Sequence, residues 1–146
     1  MERHVLRGGV LLAQLLRKAD LRPHLAERPS EATVGIAVER VAEAAASCDV
    51  LVMCAPDEVM PDLYAAEIAP HLRAGQTLMF VHGFAYHYGF ITPPANVNVV
   101  MVAPKGPGKA LREAFTKGGG LPCIVAIAND TGGAEALAYS YGAAIG

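Results

Sequence analysis

Groups that can do chemistry follow each of three apolar runs in the sequence. Asp57 and Glu58 come after the first run, His82 after the second, and Lys105 and Gly108 after the third. A histidine in such a place can assist proton transfer near neutral pH. A glycine lets the backbone approach a bound ligand closely. These positions form one site only if the three runs end at the same edge of the fold.

The three runs predict neighbouring strands of a parallel sheet. Asp49–Ala55, Thr77–Val81 and Val97–Ala103 are continuous and rich in Val, Leu and Met, as in strands that are buried on both faces. Apolar residues at roughly helical spacing predict a helix over Glu58–Leu72, between the first two strands. Strand, helix and strand form a crossover, so the strands run parallel and their carboxyl ends share one edge. We therefore expect the chemical groups to gather at this edge, where open α/β sheets bind ligands.

Other parts of the chain predict further helices and strands. We expect an amphipathic helix at Val10–Lys18, a helix at Glu39–Ser47, a short helix after Gly108, a buried strand at Cys123–Ala128 and a helix at Gly132–Ala143. Weaker patterns predict short strands at Leu21–Ala26 and Ile36–Val38.

Four motifs carry a resemblance to a known family. PDE, HGF, VAPKGPG and GGGLPC stand in the order and spacing of the amino-terminal domain of ketol-acid reductoisomerase, and the resemblance covers about Val38 to Gly146. It implies one α/β domain over residues 1–146, a Rossmann-like, doubly wound, mostly parallel sheet that binds NADP(H). It also implies the family's activity, a magnesium-dependent alkyl migration and reduction by NADPH. The products are 2,3-dihydroxy acids made from 2-acetolactate-type acids in valine and isoleucine biosynthesis.

The resemblance also implies roles for particular residues. The family's active-site histidine corresponds to His82, and Lys105 falls in the active site. His87 lies close enough in AYHYG to confuse this assignment, but we expect it to pack or face solvent. The family often has Gln at the position of Met60, and usually has His where this chain has Lys109. The positions implied to contact NADP are Arg28, Ser30, Asp57, Glu58, Val59, Met60 and Gly108.

The amino-terminal residues match the family poorly. If Gly9 is the last glycine of a G-x-G-x-x-G phosphate loop, the two earlier glycine positions hold His4 and Leu6. We therefore expect the first strand and the glycine loop to be incomplete. Loss of a central strand would expose sheet edges, so we also expect marginal stability and self-association. Arg28 is a candidate for the 2′-phosphate of NADP, with an exposed turn arginine as the alternative.

The carboxyl-terminal limit of the sequence raises a second expectation. Family members continue into a helical domain that supplies acidic ligands for magnesium, so we expect no metal site in this chain and no activity from it alone. One alternative is a non-catalytic Rossmann module that binds a nucleotide or a protein. A small dehydrogenase of another family is a further alternative, but VAPKGPG and GGGLPC argue against it. The partners that the resemblance implies are the small-molecule 2-hydroxy-2-keto-acid-type substrate, a missing helical domain or further copies of the chain.

Composition restricts the class of protein. The chain has 146 residues, 53% of them hydrophobic, which is enough for one ordinary domain with a core. A net charge of -2 argues against nucleic acid or an anionic membrane as the main partner. No apolar run approaches the ~20 residues of a membrane span, and no secretory signal is evident. Three scattered cysteines without metal-ligand spacing predict reduced thiols in a cytoplasmic protein.

Overall fold

The computed structural model describes residues 10–13 and 39–146 of the chain. Its strands are β1 (Val10–Ala13), β2 (Val50–Met53), β3 (Thr77–Phe80), β4 (Asn98–Pro104) and β5 (Cys123–Asn129). Its helices are α1 (Val41–Ser47), α2 (60–71), α3 (Phe84–His87), α4 (Gly108–Thr116) and α5 (Ala134–Ile145). Helix α2 begins as an α-helix at Met60–Leu63, continues as a π-helical turn at Tyr64–Ile68 and ends as a 3₁₀ turn at Ala69–His71.

The five strands form one sheet in the order β1-β2-β3-β4-β5. The first four run parallel, and β5 runs antiparallel to β4. Met53 of β2 pairs with Phe80 of β3, which in turn pairs with Met101 of β4. The predicted fold class is thus confirmed, and the carboxyl ends of β2, β3 and β4 lie side by side.

The central strands are buried on both faces, which explains their unbroken apolar runs. Leu51, Leu78 and Phe80 face α1 and α2, in a core cluster where each is at most 3% exposed. Val52 and Met79 face the other side, where α5 covers the sheet. Full burial of such a side chain contributes about 1.5–3 kcal/mol to folding. Helices therefore pack on both faces, as in a doubly wound sheet.

Local signals determine where the helices begin. The Glu43 carboxylate accepts a hydrogen bond from the backbone N–H of Arg40 at 3.1 Å, at the start of α1. Pro61 stands in the first turn of α2, where its missing N–H has no cost. The Asp130 carboxylate accepts backbone hydrogen bonds ahead of α5, and the preceding turn passes through Gly133 with φ of 79°. That left-handed conformation favours glycine.

The prediction of a helix at Val10–Lys18 is wrong over its first residues. Val10–Ala13 is a strand, and it runs parallel to β2 with Val10 opposite Val50. A short strand therefore stands beside β2, at the position where we expected a strand to be missing. Pairing with an open strand edge overrides a weak local helical pattern. Gly8 and Gly9 precede this strand in the sequence, whereas a dinucleotide loop follows its strand.

The prediction of a buried strand at Cys123–Ala128 is correct in position and wrong in burial. Strand β5 lies at one side of the sheet, and Ile124 and Ile127 are 44% and 37% exposed. Helix α5 covers one face, which includes Val125, while the other face is largely open. The sequence did not show this alternation in burial because nearly all residues of β5 are apolar, whichever face they lie on.

Some predictions fall on residues that the structure does not describe. These are the glycine loop around Gly9, the strands at Leu21–Ala26 and Ile36–Val38, and the cofactor contacts of Arg28 and Ser30. In the described part of the chain, none of the helices has the length and apolar character needed to span a bilayer.

Candidate functional site

The candidate site lies at the carboxyl edge of the sheet. Asp57 stands in the turn between β2 and α2, His82 in the turn between β3 and α3, and Lys105 directly after β4. Since these strands are adjacent and parallel, the three turns are neighbours at one edge. The sequence predicted this edge as the meeting point of the chemical groups.

The side chains of Asp57 and His82 are in contact at this edge. The Asp57 Oδ1 atom lies 3.6 Å from His82 Nε2, and the two side chains are 38% and 45% exposed. Oδ1 itself is buried and has no hydrogen-bond partner among the described residues. The pair therefore combines a carboxylate oxygen shielded from water with an imidazole that a ligand can reach.

The basic part of the edge lies after β4. Lys105 is exposed, and its backbone N–H donates to the Pro122 carbonyl at 2.8 Å. Helix α4 starts at Gly108, and the residue before it, Pro107, gives no side-chain cap. Uncapped N–H groups at a helix start attract anions. Within residues 10–13 and 39–146, a Cβ atom at Gly108 would meet nothing within 4 Å, so these residues leave the space beside this glycine open.

A cavity with aromatic walls lies beside the carboxylates of Asp57 and Glu58. The sequence analysis did not predict it. A cavity of about 450 Å³ is lined by Asp57, Glu58, Pro61, Phe84 and Phe90. The rings of Phe84 and Phe90 stack with centroids 5.7 Å apart, and the two side chains are 46% and 57% exposed. The repeated aromatic residues of FAYHYGF were the available signal, because such rings rarely stay exposed without a reason.

The PDE turn presents its residues in different ways. Glu58 is exposed, Val59 is half-buried, and Met60 is 1% exposed in the core. The backbone N–H groups of Val59 and Met60 both donate to the Pro56 carbonyl. Their contact with a cofactor stays a prediction, and neither N–H is free to make it.

Other polar groups near the sheet are less suited to chemistry. Burial raises the pKa of the Cys54 thiol, which disfavours the reactive thiolate. Burial, with Cys54 nearby, also raises the pKa of Tyr141. Within residues 10–13 and 39–146, no group of three or more His, Cys, Asp or Glu side chains is placed to hold a metal ion. The described residues alone therefore do not fit a magnesium site.

Comparison with known families identifies the domain. The family model described as "Acetohydroxy acid isomeroreductase, NADPH-binding domain" matches residues 16–146. The chain belongs to this family. Ketol-acid reductoisomerase (acetohydroxy acid isomeroreductase) is the family that the four motifs resemble, so the resemblance is confirmed.

Two relatives show the extent of the match to ketol-acid reductoisomerases. The NADP(+) enzyme of Leptospira biflexa serovar Patoc is 49% identical over 113 residues, which are 77% of this chain and 34% of that protein. The structure of an NADH-preferring ketol-acid reductoisomerase from an uncultured archean matches with a TM-score of 0.75 and 40% identity. That match covers 77% of this chain and 34% of the other. The chain thus spans about a third of the length of these ketol-acid reductoisomerases.

A more distant structure supports the fold alone. A semialdehyde dehydrogenase NAD-binding protein from Cupriavidus necator matches with a TM-score of 0.63 at 18% identity, over 79% of this chain and 45% of that one. The fold of this sheet is therefore shared with a protein of low sequence identity. The detailed roles of His82, Lys105 and Gly108 in a reductoisomerase remain predictions.

Proposed function

We propose that this chain is the NADPH-binding part of a ketol-acid reductoisomerase that uses magnesium. Such an enzyme isomerises and reduces 2-acetolactate or 2-aceto-2-hydroxybutyrate in valine and isoleucine biosynthesis. The observation that carries the proposal is the pair of Asp57 and His82, 3.6 Å apart at the ligand-binding edge of the sheet, within the family match.

The basic part of the edge fits the phosphates of a dinucleotide. The uncapped start of α4 offers N–H groups to phosphate oxygens, and the open space beside Gly108 allows close approach. Lys105 and Lys109 add positive charge before and after this glycine. We expect the pyrophosphate at the start of α4, with Asp57 and Glu58 near the ribose hydroxyls. Arg28 and Ser30 are proposed to bind the 2′-phosphate.

The paired residues fit proton transfer to the substrate. Bound NADPH supplies a hydride to a carbonyl carbon, whose oxygen must then receive a proton. His82 is partly exposed beside the Asp57 carboxylate, and an imidazole can deliver such a proton. Lys105 is exposed at the same edge and can attract the carboxylate of the substrate.

The proposed enzyme needs metal ligands in addition to the residues that the structure describes. Magnesium would require carboxylates from outside the described residues, since these do not form a metal cluster. A helical domain is the proposed source, either in a continuation of the chain or in a partner. Association with further copies of the chain is proposed as a second way to close the site.

Calorimetric titration with NADPH tests the cofactor role. Gly108→Ala adds a methyl group that meets no atom of the described residues within 4 Å, so a loss of affinity would report a clash with the ligand. We expect Kd to rise about tenfold, as for an overpacked contact that costs 1–3 kcal/mol. Equal affinity of wild type and Gly108→Ala, or no binding at millimolar NADPH, would contradict the proposed site.

Two further variants complete the titration. Gly142→Ala is the matched control, because its methyl group would make an ordinary contact of 3.7 Å with Val102 on α5's side of the sheet. It should leave Kd unchanged. Arg28→Ala, measured with NADPH and NADH, tests the cofactor preference, since the family description names NADPH and one relative prefers NADH. Loss of affinity for NADPH alone is expected if Arg28 binds the 2′-phosphate.

One observation favours a second candidate, a non-catalytic nucleotide- or protein-binding module. No glycine follows β1 before Gly35, although a dinucleotide fold places its phosphate loop directly after the first strand. Weak or absent binding of both cofactors by a well-folded wild-type chain is the result that this candidate predicts. An assay of NADPH oxidation with 2-acetolactate and magnesium, with and without a helical partner, separates the two candidates further.

A further inference from the structure

The Asp57 carboxylate is divided between two environments. Its Oδ1 atom is buried, and among the described residues it accepts no hydrogen bond, yet the side chain as a whole is 38% exposed. A buried carboxylate oxygen without a donor is unfavourable, because it has lost water and gained no partner. The basic group in contact with it is Nε2 of His82, at 3.6 Å.

A small movement would turn this contact into a hydrogen bond. The separation exceeds a usual N–H···O distance by roughly 0.6 Å. His82 lies in the turn between β3 and α3 and is 45% exposed, so packing does not enclose its ring on all sides. Hydrogen bonds in active sites are often long without ligand and shorten in the complex.

We propose that Asp57 is the positioning residue of His82: its buried Oδ1 accepts the Nε2–H of the imidazole and leaves Nδ1 as the nitrogen that exchanges a proton with a ligand. A hydrogen bond at one ring nitrogen determines which tautomer is present. Asp57 therefore has a role beyond contact with a cofactor. The catalytic meaning of this role rests on the proposed function, but the tautomer itself does not.

Nuclear magnetic resonance of the cofactor-free chain tests the assignment. Selective ¹⁵N labelling of histidine gives five imidazoles, and His82→Gln identifies the signal of His82. In the wild type we expect the proton on Nε2 and none on Nδ1 of the neutral ring. Asp57→Ala should speed the exchange of the Nε2 proton with water about tenfold, the factor expected for a lost hydrogen bond to a charged group.

Matched variants separate positioning from folding and from general charge. Asp57→Asn keeps the shape with a neutral acceptor and should give an intermediate exchange rate. Glu58→Gln removes the neighbouring charge and should leave the His82 signal unchanged, since the described ion pair of His82 is with Asp57 and not with Glu58. His87 serves as an internal reference, because its ring contacts Tyr88 rather than a carboxylate in the described part of the chain.

Two results would overturn the assignment. One is a proton on Nδ1 of neutral His82 in the wild type. The other is the same exchange rate in the wild type, Asp57→Asn and Asp57→Ala. NADPH is absent from this experiment, so a chain that fails to bind the cofactor can still give the expected tautomer. Failure of the proposed function and failure of the positioning role are therefore read separately.

Discussion

Asn98 Oδ1 accepts two hydrogen bonds from Thr131, one from the backbone N–H at 2.6 Å and one from Oγ1 at 2.8 Å. Its amide nitrogen donates to Gly75 O and Thr77 Oγ1, each at 3.2 Å. Asn98 is 3% exposed. One buried side chain thus joins the start of β4 to the start of β3 and to the turn before α5.

Asn98→Ala should destabilise the fold strongly. The substitution leaves buried donors and acceptors around it unpaired, which we expect to lower the free energy of unfolding by about 2–3 kcal/mol. Urea unfolding followed by circular dichroism measures this change. Thr131→Val is the control: it removes a single hydroxyl donor and should cost about 1 kcal/mol. Equal urea midpoints for Asn98→Ala and the wild type would show that the network contributes nothing.

Asp130 should make stability depend on acidic pH. Backbone hydrogen bonds from Ala134 and Gly132, with a smaller one from Glu135, lower the pKa of Asp130 below its ordinary value of 3.8. A carboxyl whose folded-state pKa is lowered stabilises the fold above its unfolded-state pKa, and this stabilisation is lost as the pH falls through the folded-state value. Protonation removes the preferred acceptor for the start of α5.

Melting temperatures of the wild type and Asp130→Ala test this linkage. The wild type should melt higher than Asp130→Ala at pH 6 to 7, because the ionised carboxylate accepts hydrogen bonds from N–H groups at the start of α5. The difference should shrink as the pH falls below about 4. Glu135→Ala, which removes an acid from the first turn of α5, should not reproduce this pattern. A difference that is independent of pH would refute the role of the Asp130 charge.

Met60→Gln should destabilise this chain even though the resemblance associates Gln with this position. Met60 is 1% exposed in the cluster that includes Leu78 and Phe80. Burying an amide without partners costs about 1–3 kcal/mol in proteins. Met60→Leu keeps the volume and the apolar character, so it should cost less than about 1.5 kcal/mol. If thermal unfolding shows Met60→Gln to be as stable as Met60→Leu, the side chain is not held in the core.

Self-association is expected at β5 rather than at a missing central strand. In the described part of the sheet β5 has no partner on its outer side, and its residues carry no charge. Uncharged strand edges pair with other copies, and a lysine on the edge opposes this. Ile124→Lys should therefore lower the mass measured by light scattering. Tyr139→Lys adds the same charge at an exposed site on α5 and should leave the mass unchanged.

Strands β2, β3 and β4, which lead to Asp57, His82 and Lys105, were predictable from the sequence. Burial on both faces of a strand requires a continuous apolar sequence. The same reasoning could not give the direction of β5, since residue periodicity carries no information on whether a strand runs parallel. It also assigned Val10–Ala13 to a helix, because a partner such as Val50 is visible only in the folded sheet.

Some features of the candidate site were also predictable from the sequence, and others were not. Its edge followed from topology, and the histidine from the HGF motif. The contact between Asp57 Oδ1 and His82 Nε2 depends on turn conformations that have no sequence period. The stacking of Phe84 on Phe90 depends on the short helix α3 and the chain that follows it. Such contacts follow from three-dimensional packing and were therefore beyond pattern analysis.

The hydrogen bond from Lys105 to Pro122 brings together the two ends of the segment 106–121. Helix α4 and the glycine run that follows it thus form a connection that begins and ends at the same place on the sheet. None of the residues of α4 is buried. A segment with fixed ends and few attachments can be exchanged between relatives as a cassette. Chimeras that carry this cassette from an NADH-preferring relative would alter the start of α4 while preserving the strand pairing of the recipient.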